Sequence, residues 1–154
     1  MNLSRLLAYR RQIEDALRIE VAAAARLLQE AAERSASAES EAKDKQQHYA
    51  EAAKRGLTIE ETYRWYGEIE HASAQARRAA EIQGRLHGEW MKKQAAVVDA
   101  MQERKKLDIL IRRRREARQQ EQLHDEQRLM DEQAARRRRG TIGRPASADR
   151  DPHG

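Results

Sequence analysis

A chain of 154 residues has the length of one ordinary domain, yet 37% of it is charged, 4% is aromatic and Phe is missing, which argues against a globular core. Cysteine is absent, so disulfides, thiolate zinc sites and a cysteine nucleophile are excluded. The formal net charge is +5, and it is unevenly placed: residues 1–103 hold 16 Lys+Arg against 17 Asp+Glu, residues 104–139 hold 13 against 7, and the rest is neutral. The positive excess late in the chain points to a partner surface at one end.

Ala, Glu, Arg, Gln and Leu dominate, no Pro precedes Pro145, and apolar residues recur at helical spacing, so about four fifths of the chain is expected in helix. The start, Met1 to Arg5, leads straight into an amphipathic helix, and aliphatic runs such as Val21 to Ala25 are far too short to span a bilayer. A cytosolic protein that meets membranes only through partners is expected.

The first helix, about residues 2–55, carries the series Leu3, Leu6, Arg10, Ile13, Leu17, Val21, Ala24, Leu28, Ala31, Ser35, Ala38, Ala42, Lys45, Tyr49 and Ala52. Its steps of three and four, with one extra four after Leu17, read as a left-handed coiled-coil seam containing a stutter. From Ala31 to Lys45 the seam is small or polar, hence thin.

Residues 55–58 form the expected bend. Gly56 supplies a left-handed C′ position, Lys54 and Arg55 sit where the helix dipole favours cations, and Thr58 with Glu61 forms a capping box. The second helix, about residues 59–135, carries Ile59, Tyr66, Ile69, Ala76, Ala80, Trp90, Val97, Met101, Leu107 and Ile111 at compatible spacing. The fold class is therefore all-α: an antiparallel two-helix coiled-coil hairpin with a longer second helix and a disordered tail over 140–154. With the bend between Gly56 and Leu57, residue k faces about 113 − k. The second helix is then expected to outrun the first by about 35 Å at 1.5 Å per residue. The same arithmetic puts Trp90 opposite Ala22 to Ala25, with Trp90→Ala costing about 3 kcal/mol.

Tyr49, Tyr63, Trp65 and Tyr66 cluster at the bend. Core filling accounts for Tyr66 and Tyr49, while an exposed Trp65 or Tyr63 would make a docking point. Gly84-x-x-x-Gly88 reads either as close approach to Leu27 and Leu28 or as tolerance at about 1 kcal/mol per glycine. His48, His71, His87, His124 and His153 lack metal-ligand spacing, and Ser73 and Thr62 have no organised base. No metal, cofactor or enzymatic activity is expected.

Arg112 to Arg115 with Arg118 is the densest charge cluster, read either as a solvated helix face or as a contact for an acidic partner. Four consecutive Arg cover every side of a helix, and the first helix has no residues left there to neutralise them. Nucleic acid is disfavoured, because no aromatic residue follows Trp90 to stack on bases and the basic run follows the heptads.

The opening Leu6-Leu7-Ala8-Tyr9-Arg10 with Glu14, the restart Tyr63-Arg64-Trp65-Tyr66, Trp90, the stretch Glu103 to Leu107 and the closing Met130 to Ala134 resemble, in order and spacing, the FliJ family of bacterial flagellar type III export components. The resemblance covers nearly all of residues 3–135 and extends more distantly to injectisome stalks. It implies a non-catalytic stalk standing in a hexameric export ATPase, touching the export-gate membrane protein and binding export chaperones, peripheral to the cytoplasmic face of the inner membrane. Position by position it places ATPase binding at Arg104, Lys105 and Lys106, to which Arg112, Arg113, Arg114 and Arg115 are added on physical grounds. The gate surface would lie toward the bend at Tyr49, with Ala72, Ala76 and Ala79 smaller than the family's usual residues there. Arg136 to Arg139 match no motif. A self-associating coiled-coil scaffold is the alternative reading.

Overall fold

The structure is a computed structural model and describes residues 2–142, with side chains to Gly140. Helix α1 spans Leu3–Arg55 and helix α2 spans Ile59–Ile142, which exceeds the expected helical share because α2 runs on through Gly140. The described chain divides into two compact units, one ending at Lys106 and the other starting at Leu107.

The first unit is an antiparallel hairpin. Asn2 caps α1, its Oδ1 accepting from the Ser4 amide at 3.1 Å, so one of the free N–H groups of the first turn is satisfied. Gly56 ends the helix, its amide donating to the Ala53 carbonyl at 3.2 Å. Its φ of 93° and ψ of 131° depart from the expected left-handed helical cap, but they occupy a region that a Cβ makes costly. Thr58 restarts the chain: its Oγ1 accepts from the Glu61 amide at 3.2 Å, and its carbonyl accepts the Thr62 hydroxyl at 2.9 Å. Lys54 and Arg55 close α1 and Glu60 and Glu61 open α2, each matching the local dipole.

Every position of the expected α1 seam is buried or half-buried, but Leu7 and Glu14 are covered as well. Their inclusion changes the reading of the seam. Counting back from Val21 through Leu17, Glu14, Arg10, Leu7 and Leu3, the steps of three and four continue unbroken, so the heptad has no stutter. In the hairpin α2 likewise presents Thr62, Trp65, Ile69, Ala72, Ala76, Ala79, Gln83, Leu86, Trp90, Lys93, Val97, Ala100 and Arg104 without interruption. Ile59, Tyr66 and Ala80, expected in this seam, are exposed, because the true phase runs through Thr62 and Trp65.

The facing rule holds near the bend, where Lys45 Nζ meets Glu68 at 3.5 Å, and in mid-hairpin, where Leu27, Ala31 and Arg34 share a shallow pocket with Leu86, Ile82 and Ala79. The buried apolar residues among those described are Ala24, Ala31, Ala42 and Ala72. Small side chains let two helices approach closely, but each contributes little apolar area.

In the second unit, α2 continues as helix from Leu107. Leu107, Asp108 and Ile111 are half-buried, and every residue from Arg112 to Gly140 is exposed. The expected tail falls partly on helix, Gly140 to Ile142, and residues 143–154 lie outside the described residues.

Candidate functional site

Glu14 is the most deeply buried charged residue described, at 2% exposure. Its two carboxylate oxygens are each taken by an arginine: Oε1 accepts from Arg18 Nη2 at 2.6 Å and Oε2 from Arg104 Nε at 2.5 Å. Arg18 sits one turn along α1, while Arg104 reaches across from α2. Its long arm tilts back toward the N-terminus of its own helix, as helical side chains do. The series read from sequence runs through Ile13 and passes over Glu14, because it takes an extra step of four after Leu17. The recoverable signal was spacing: unbroken threes and fours land on Glu14 and on Arg104.

This pairing gives Arg104 a structural part in the hairpin. Its side chain is held in the hairpin seam, whereas the neighbouring Lys105 and Lys106 are exposed, Lys106 pairing with Glu103 at 3.3 Å. In the second unit Arg112, Arg113, Arg114 and Arg115 are all exposed, and none has an ion pair among the described residues. Successive residues on a helix step by about 100°, so four arginines present charge in every direction. Exposed guanidinium groups keep their fork of donors available for carboxylates.

Toward the bend, the Tyr49 ring lies 5.5 Å from Tyr66 and 6.3 Å from Trp65, in tilted arrangements favoured by aromatic pairs. The Tyr49 hydroxyl donates to that of Tyr66 at 3.4 Å. That hydrogen bond, with partial desolvation and the charge interaction with Tyr66, raises the Tyr49 phenol above its ordinary value. Trp65 takes the seam position assigned above to Tyr66, leaving Tyr66 and Tyr63 on the surface.

Ala72, Ala76 and Ala79, the gate positions implied by resemblance, are consecutive seam residues; Ala72 is 5% exposed and the other two are half-buried. Their smallness fits close packing against α1. Trp90 is half-buried, its ring 6.0 Å from His87. Gly84 and Gly88 approach nothing: a Cβ on either would meet no atom within 4 Å, which removes the close-packing reading and leaves simple tolerance.

Among the described residues no group of His, Cys, Asp or Glu is placed to hold a metal ion, and no helix is long and apolar enough to cross a membrane. A family model described as Flagellar FliJ protein matches residues 1–141. Comparison with curated proteins and with solved structures gave no match.

Proposed function

The chain belongs to the FliJ family and is thus a component of the flagellar protein-export apparatus, and we propose that it serves there as a non-catalytic stalk linking a hexameric export ATPase to the export gate. The observation that carries the ATPase contact is the run Arg112 to Arg115, exposed and without an ion pair among the described residues. A carboxylate-lined socket would receive these fork-shaped donors in pairs, and partial exclusion of water there would strengthen each contact. Lys105 and Lys106 join that contact as exposed cations, while Arg104 acts indirectly by holding the hairpin. The gate contact lies toward the bend and includes Tyr49, and export chaperones are further partners. No aromatic residue follows Trp90 in the sequence to support base stacking by the basic helix. The protein is placed at the cytoplasmic face of the inner membrane by its partners.

The test is charge reversal of Arg112, Arg113, Arg114 and Arg115 to Glu in the full chain. Stimulation of the purified export ATPase should be abolished with helicity by circular dichroism unchanged; undiminished stimulation would remove this role.

A further inference from the structure

We infer that Ile59, Tyr63 and Tyr66 form a docking stripe beside the bend, occupied by a segment of the export-gate protein that presents apolar side chains flanked by Lys or Arg. The inference rests on the gate-binding role proposed above and gives it a surface, now that Ala72, Ala76 and Ala79 are found in the seam.

The three residues stand at i, i+4 and i+7 of α2 and so share one helical face. They are 76%, 71% and 54% exposed, and none belongs to the seam. Single apolar residues on a surface need no explanation, but a contiguous stripe of them marks an interaction site. Tyrosines bring large contact area at low entropic cost. Tyr66 is ordered in advance, since Tyr49 holds both its ring and its hydroxyl and Tyr49 in turn touches Trp65 in the seam. Less freedom is then lost on binding.

Gly67 adds a second feature. It is one turn from Tyr63 and adjacent to Tyr66, and a Cβ there would meet nothing within 4 Å, so bare backbone lies open beside the tyrosines. Charge selects the occupant. The charged residues one turn from the two tyrosines on α2 are Glu60 and Glu70, both exposed and neither with an ion pair among the described residues. An acidic rim favours a cationic complement and disfavours phosphate. It also disfavours a second copy of the chain, because a two-fold contact would set the two acidic rims against each other.

The experiment titrates the full chain with the purified cytoplasmic portion of the gate protein from the same bacterium. Tyr63→Ala and Ile59→Ser are compared with the unaltered chain, and Tyr66 is left intact because Tyr49 packs on it. Each variant should weaken binding roughly tenfold or more, as expected of an aromatic or aliphatic anchor, at an unchanged thermal midpoint. Glu60→Lys with Glu70→Lys should weaken it further at low salt than at high salt. Gly67→Ala should weaken it while Gly84→Ala leaves it alone. If the unaltered chain binds and both apolar variants bind equally well, the stripe is overturned and gate binding stands. If the unaltered chain does not bind, the gate-binding role falls and the stripe with it. A dimer in sedimentation that Tyr63→Ala dissolves would assign the stripe to self-association and overturn the proposal.

Discussion

Glu14 has two arginines within hydrogen-bond reach and almost no water, an arrangement in which the loss of one partner matters more than the presence of the pair. Arg104→Ala leaves a buried carboxylate held by Arg18 alone, and Arg18 is about half exposed. Solvent reaching that side reduces the cost, so a loss of about 1–3 kcal/mol is expected by chemical denaturation. Lys105→Ala should be near neutral, and equal midpoints for the two variants would show that the pair does not hold the hairpin. Glu14→Leu combined with Arg104→Leu should recover most of the loss, because both charges then leave the seam together. Glycine separates conformation from packing at the same scale. Gly84→Ala should stabilise by up to about 1 kcal/mol, since open space surrounds it and the helix favours Ala. Gly56→Ala should do the opposite despite equally open space, because φ is 93° there.

The two helices are held by a seam of small residues, and this sets what each tolerates. Ala72 is buried where the α2 heptad meets α1, so Ala72→Leu should lower stability by about 1–3 kcal/mol even though it adds apolar area, since the larger side chain forces the helices apart. A rise in melting temperature would mean that α1 and α2 are less closely packed there than the burial indicates. Trp90 is half-buried in the same heptad, so Trp90→Ala should cost less than a fully buried aromatic would, about 2 kcal/mol. The polar seam pair has a separate consequence for the element. A charged residue at a core position is satisfied in one register only, so Glu14 with Arg104 opposes sliding of α1 against α2.

Across the whole chain, stability is expected to be graded. The hairpin buries apolar surface through alanines and half-buried larger residues, whereas from Arg112 to Gly140 the helix has its side chains in solvent. Helix without a packed face depends on propensity alone and opens readily. Amide hydrogen exchange should therefore be markedly slower over 65–104 than over 112–140 in the isolated chain. Bound to the ATPase, the second stretch should gain protection; unchanged exchange there would argue against the proposed contact.

Composition and periodicity by themselves determined the helical hairpin, the bend at Gly56 and Thr58, most of the α1 seam and the position of the cationic excess, because capping chemistry and heptad spacing act locally along the chain. Only the tertiary structure decided the phase of α2, which put Trp65 inward and Tyr66 outward, and the burial of Glu14, whose acceptance in the seam depends on a guanidinium ninety residues away. Only it, too, placed Ala72 and Ala79 beside Ala76 in the seam, Ala72 buried and the other two half-buried. A residue's helix follows from its neighbours in sequence, but the side it buries depends on the register of the helix packed against it.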